Sequence, residues 1–114
     1  MIYKFRITLD VLDDVFRDIA IRKTDSLEDL HNAIIQAFGF DSQELASFYM
    51  SDEEWNQGEE IALENMSDAQ APTKLMIDTY LEDILSKEQT KLIYVYDFLN
   101  MWTFYVELAD ITEP

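Results

Sequence analysis

The run from Tyr3 to Gly39, YKFRITLDVLDDVFRDIAIRKTDSLEDLHNAIIQAFG, decides the architecture. Tyr3, Phe5, Ile7 and Leu9 alternate with Lys4, Arg6 and Thr8, and this period of two predicts a half-buried strand. A break from Asp10 to Asp14, with the paired carboxylates Asp13 and Asp14, reads as a turn, after which Val15 to Lys23 alternates again through Val15, Ile19 and Ile21. The two strands make a hairpin. Ser26 then stands as a helix N-cap with Asp29 three positions on, Leu27, Leu30, Ile34, Ala37 and Phe38 fall at helical spacing, and Gly39 closes the helix. A hairpin feeding a helix argues for an α+β fold over alternating parallel βα units.

Outward from that core, Ala46 to Met50 reads as a third strand, Ser51 to Glu60 as a polar loop, and Ile61 to Leu63 as a short edge strand. Asn65 to Thr73 is a connection, and Tyr80, Leu81, Ile84 and Leu85 predict a short helix capped by Asp78 or Thr79. Lys91 to Phe98 and Met101 to Ala109 are strands joined tightly through Leu99 and Asn100. The expectation is a single domain over residues 1–114 in the order β-β-α-β-(β)-α-β-β. Its mixed or antiparallel sheet carries one long helix and resembles a β-grasp arrangement.

Eight basic residues face twenty-four acidic ones, a net charge of −16 over 114 residues, while 48% apolar content is that of a folded chain. Such a surface repels a phosphate backbone, so nucleic acid is not an expected partner, although Lys4, Arg6, Arg17, Arg22 and Lys23 could gather on one sheet face. No apolar run approaches a membrane span and the first residues alternate, which points to the cytoplasm and to no membrane partner. The span from Asp41 to Asp68 holds nine acidic residues and no basic one. It is either a solvated face or a docking surface for a basic protein.

The same inventory excludes much chemistry. With Gly39 and Gly58 as the two glycines, neither a dinucleotide-binding fingerprint nor a P-loop can be written. One histidine and no cysteine exclude disulfides, thiolate sites and multi-histidine zinc sites, and no cofactor or metal is expected. Asp52 to Glu64 approaches a calcium loop, but Gln57 stands where the sharp-turn glycine belongs and Leu63 where the bidentate glutamate belongs. That segment reads as a solvated acidic loop. His31 borders the buried stripe of the helix and reads as a structural histidine, and Asp97 ends a strand as a turn former. A carboxylate-based hydrolase would need those two side chains to meet. Tyr94, Tyr96, Phe98, Trp102, Phe104 and Tyr105 send aromatic rings to both sheet faces, one to pack under the helix and one to be covered by the acidic loop, the second helix or another molecule.

Val15-Phe16-Arg17, the helix Ser26–Ile34 running on to Phe38-Gly39-Phe40, and Tyr94-Val95-Tyr96-Asp97-Phe98 with Trp102 together resemble the plasmid pRiA4b ORF-3-like family. The resemblance implies a small α+β domain of the kind found on plasmids, in transposon-associated genes and in prokaryotic chromosomes. It also implies a cluster at Arg17, His31, Asp97, Asn100 and Trp102. Members read Y-D-F-G-D-x-W-x-H, whereas here Leu99-Asn100 replaces Gly-Asp and Phe104 replaces the final histidine. Glu44 replaces a second histidine and Phe16 a tryptophan, so the chain resembles a degenerate member that kept the scaffold. Asn100 is expected to take up the left-handed turn conformation in place of glycine.

The functional expectation is a non-enzymatic interaction module without catalytic residues. Its candidate surface is Asp52, Glu53, Glu54, Glu59 and Glu60 with Tyr94, Tyr96 and Tyr105, and its partner is a basic protein or a second copy of the chain. The alternatives are a nucleic-acid-associated accessory protein of a mobile element and the hydrolase on His31 and Asp97.

Overall fold

Strand β1 (Ile2–Leu9) pairs antiparallel with β2 (Val15–Arg22), Phe5 opposite Ile19 and Ile7 opposite Arg17, as the alternation requires. A computed structural model of the chain describes residues 1–11, 15–40, 44–64 and 74–113, so the predicted turn carboxylates Asp13 and Asp14 lie outside the described residues. Helix α1 (Leu27–Phe38) begins at a complete capping box, in which the Asp29 amide donates to Ser26 Oγ at 3.2 Å and the Ser26 amide to Asp29 Oδ2 at 3.0 Å. It ends at Gly39, whose φ of 77° is left-handed and whose amide donates to the Ile35 carbonyl at 2.9 Å.

The remaining elements are β3 (Ala46–Ser51), β4 (Gln57–Ala62), β5 (Lys74–Leu75), a 3-10 turn (Met76–Asp78), α2 (Leu81–Ile84), β6 (Lys91–Tyr96) and β7 (Trp102–Thr112). They form a seven-stranded sheet in the order β2-β1-β7-β6-β3-β4-β5. Neighbours are antiparallel except β4 and β5, which are parallel. This is an α+β fold.

Two expectations are corrected. Strand β4 starts at Gln57, inside the stretch expected to be loop, because pairing with β3 supplies what the side chains lack: Ser47 Oγ donates to Glu60 Oε2 at 2.7 Å, and Gly58 lets the strands close. A Cβ on Gly58 would stand 3.0 Å from the Met50 carbonyl oxygen. The second correction concerns α2, whose N-cap is Tyr80 without a side-chain bond. The Thr79 hydroxyl, expected as a cap, donates backwards to the Leu75 carbonyl at 2.8 Å, while the Thr79 carbonyl accepts the Leu27 amide at 2.8 Å. Backbone bonds to the start of α1 hold α2 where a cap would have served. The expected connection over 65–73 lies outside the described residues.

Alternation divides the sheet. On the α1 side Phe5, Ile7, Phe48, Tyr94, Phe104 and Val106 are buried with Leu27, Leu30 and Ile34 of the helix. Each such side chain contributes about 1.5–3 kcal/mol by leaving water. The opposite face carries Arg6 and Thr8 of β1, Tyr105 and Glu107 of β7, Lys91, Ile93 and Val95 of β6, and Ser47 and Tyr49 of β3. Among the described residues no helix is long and apolar enough to cross a membrane.

Candidate functional site

Thr8 and Tyr105 are cross-strand partners on the face away from α1. The β3–β4 turn folds over them. Asp52 builds that turn: its Oδ1 accepts the amides of Glu54 and Asn56, both at 2.9 Å, and its Oδ2 accepts Asn56 Nδ2 at 2.9 Å. These bonds, led by the Asn56 side chain, hold the Asp52 carboxyl below its ordinary range. The carboxylate read at the head of a calcium-like loop is thus spent on the loop itself.

The turn places Trp55, at a left-handed φ of 63°, edge-on to Tyr105 with ring centroids 5.0 Å apart. Thr8, Trp55 and Tyr105 line an open cleft of about 300 Å³. Its rim is acidic. The Tyr105 hydroxyl donates to Asp10 Oδ2 at 3.4 Å, and burial followed by the Asp10 charge raises the Tyr105 pKa. Lys91 Nζ stands 5.4 Å from the Trp55 ring centroid and bonds Glu53 and Glu107, each at 3.1 Å. Those bonds, Glu107 first, raise the Lys91 pKa.

Of the expected surface, the fold brings Asp52, Glu53, Glu54 and Tyr105 together. Glu60 sits apart on β4 under Ser47, and Glu59 pairs with Lys74 at 3.0 Å. Tyr94 and Tyr96 are corrected: at 0% and 2% exposure they lie under α1 and offer no surface, because their even register on β6 points them to the helix side. The sequence reading missed Trp55, Thr8 and Lys91. The available signal was Trp55 itself, an aromatic residue in an otherwise acidic stretch.

The second cluster lies at the end of the sheet where α1 stops. Phe40 stacks on Tyr96 at 4.9 Å and tilts against Trp102 at 5.7 Å, while Phe38 meets Phe104 edge-on at 4.8 Å and carries the Arg17 guanidinium 5.3 Å above its ring. A model of the plasmid pRiA4b ORF-3-like protein family matches residues 1–114. The chain belongs to that family. The crystal structure of a protein of unknown function from Methanosarcina mazei Go1 matches this pRiA4b ORF-3-like chain with a TM-score of 0.82 at 22% identity, covering 96% of this chain and 60% of that one. The likeness is one of fold, and the chain spans 60% of the length of that protein. Comparison with curated proteins gives no match.

Within this pRiA4b ORF-3-like chain the five family-like residues serve separate ends. His31, 3% exposed, places Nδ1 2.6 Å from the Tyr94 hydroxyl, and burial pushes its pKa down to about 4. Asp97 shapes the β6–β7 turn, where its carboxylate accepts the Leu99 amide at 3.2 Å and Asn100 Nδ2 at 2.6 Å. The left-handed residues of that turn are Asp97 and Met101, with φ of 61° and 55°, and not Asn100 as expected. Asn100 contributes its side chain instead. Trp102 is 38% exposed beside Phe40, and Arg17 Nη1 donates to the Phe16 carbonyl at 2.8 Å. His31 and Asp97 therefore hold different partners.

Proposed function

We propose that this pRiA4b ORF-3-like chain is a non-enzymatic, cytoplasmic interaction module that receives a basic side chain of a protein partner in the cleft of Thr8, Trp55 and Tyr105. The observation that carries the reading is the Trp55 ring. It is held on Tyr105, whose hydroxyl bonds Asp10, and already attracts one ammonium group, that of Lys91, within 5.4 Å, with Glu53 bonded to that ammonium. An aromatic floor with carboxylates at its rim attracts lysine and arginine by ring quadrupole and by charge. A volume of about 300 Å³ suits one long side chain better than a cofactor.

The two other readings find less support. Arg6, Arg22 and Lys23 are answered by Asp18, Asp25 and Glu82, which leaves little positive field for a phosphate backbone. A hydrolase on His31 and Asp97 would require a pair that the fold employs separately, and the replaced family positions Glu44, Leu99, Asn100 and Phe104 fit a member that kept its scaffold and lost a polar site.

The test is titration with a lysine- and arginine-rich peptide in a Trp102→Phe background, so that Trp55 alone reports by fluorescence. Saturable quenching that weakens with salt and is lost in Tyr105→Ala, where the Trp55 reporter remains, supports the proposal. An unchanged signal, or an acidic peptide that binds equally well, overturns it.

A further inference from the structure

The sheet ends on one side in β2, eight residues long, and on the other in β5, two residues long. A long bare edge is a template for another strand unless something blunts it. The phase of β2 is fixed by the Lys23 amide, which donates to the Met1 carbonyl at 3.2 Å and continues the β1–β2 register. Odd-numbered residues of β2 thus bond to β1, and the backbone groups of Phe16, Asp18, Ala20 and Arg22 face outward.

Both ends of that outward row are engaged from within, Arg22 at its amide and carbonyl and Phe16 at its carbonyl alone. The Arg22 amide donates to Asp25 Oδ2 at 3.3 Å and the Arg22 carbonyl accepts the Asp25 amide at 3.0 Å. The Phe16 carbonyl accepts Arg17 Nη1 at 2.8 Å. Among the described residues the middle of the edge, the amides and carbonyls of Asp18 and Ala20, stays open. An opening of two outward residues, two positions apart, complements itself under a two-fold axis through the residue between them.

We propose that β2 pairs antiparallel with β2 of a second copy of the chain about an axis at Ile19. Asp18 of each copy then faces Ala20 of the other, and the open amides of one donate to the open carbonyls of the other. On the α1 side Ile19 meets Ile19. On the far side Arg22 comes opposite Phe16, which is 45% exposed and already lies under the Arg6 guanidinium, and Asp18 stands diagonal to Arg22 and to Asp18 of the other copy, each Asp18 being answered within its own copy by Arg6.

Charge selects this edge. Residues 1–23 hold five basic and four acidic side chains within a chain of net charge −16, so the β2 end is where two copies approach with least repulsion. A contact of one strand pair falls in the small interface class, below about 1,200 Å², and makes a reversible dimer. Salt strengthens it by screening the remainder of the acidic surface.

Sedimentation from micromolar to millimolar protein, at low and high salt, tests the pairing. The expected mass rises from 13.4 kDa toward twice that value, and does so at lower concentration in high salt. Ala20→Pro removes an outward amide at a position where an edge strand tolerates proline, and it keeps the chain monomeric. Because the chain has no cysteine, Ile19→Cys also reads the register. A non-hydrogen-bonded antiparallel pair sets the two Cα atoms about 4.5 Å apart, within disulfide range, so this variant oxidises to a covalent dimer faster than Leu99→Cys on the exposed β6–β7 turn. A constant 13.4 kDa mass throughout, or equal oxidation of the two cysteine variants, overturns the pairing.

Discussion

His31 Nδ1 and the Tyr94 hydroxyl lie 2.6 Å apart beneath α1, joining the helix to the middle strand of the sheet. Burial drives the two groups in opposite directions, the imidazole down to about 4 and the phenol above its ordinary range of 10, so both are neutral at physiological pH. A neutral pair avoids the desolvation cost that an imidazolium would carry at this place.

Acid stability follows from that shift. Between about pH 4 and the ordinary histidine value of 6.5 the unfolded chain binds a proton that the folded chain refuses. Stability therefore rises with pH through this window, and acidification across it removes up to about 3 kcal/mol. Carboxylate titration is common to the wild type and His31→Gln and cancels between them. Urea unfolding at several pH values is expected to show the wild type losing the larger amount, and parallel curves would refute the assignment.

Removing the partner isolates the bond. Tyr94→Phe leaves the buried imidazole without its acceptor or donor and costs about 1–3 kcal/mol. His31→Leu combined with Tyr94→Phe costs less than the sum of the single changes, since no polar atom is then stranded. A double-mutant cycle by chemical denaturation measures the coupling.

His31 was legible as a structural histidine from its place on the helical stripe, whereas its partner was not, because register alone decides that Tyr94 points to α1 and Tyr105 away from it. Helix α1 was read to its caps, since Ser26, Asp29 and Gly39 act within one turn of themselves. Strand β4 and the seat of Trp55 escaped the reading for the converse reason. Gln57 to Glu60 pairs only because β3 lies beside it, and the Asp52 turn acquires its role only by folding onto Tyr105. Local signals are encoded locally, while sheet order and loop seating arise from distant residues.

The two glycines separate conformation from space. At Gly39 a Cβ meets nothing within 4 Å, but φ is 77°, so Gly39→Ala costs about 1–2 kcal/mol for the left-handed backbone. At Gly58 the obstacle is the Met50 carbonyl at 3.0 Å, and Gly58→Ala costs about 1–3 kcal/mol by prising β3 from β4. Hydrogen exchange distinguishes them. Gly58→Ala accelerates exchange in β3 and β4, and Gly39→Ala accelerates it at the end of α1.

Asp97 is a member of the family-like cluster and also the residue on which a hydrolytic reading would depend. Its carboxylate secures Leu99 and Asn100, and its own φ of 61° suits asparagine and glycine better than alanine. If the turn is its task, Asp97→Asn changes stability by less than about 0.5 kcal/mol while Asp97→Ala loses about 1–2 kcal/mol. Peptide-dependent quenching at Trp55 stays the same in both, because Trp55 rests on Tyr105 across the sheet from the α1-side aromatic cluster. Thermal unfolding and the peptide titration on the same two variants settle the matter: a loss of binding in Asp97→Asn with stability intact would place a polar function at this turn that its hydrogen bonds alone do not explain.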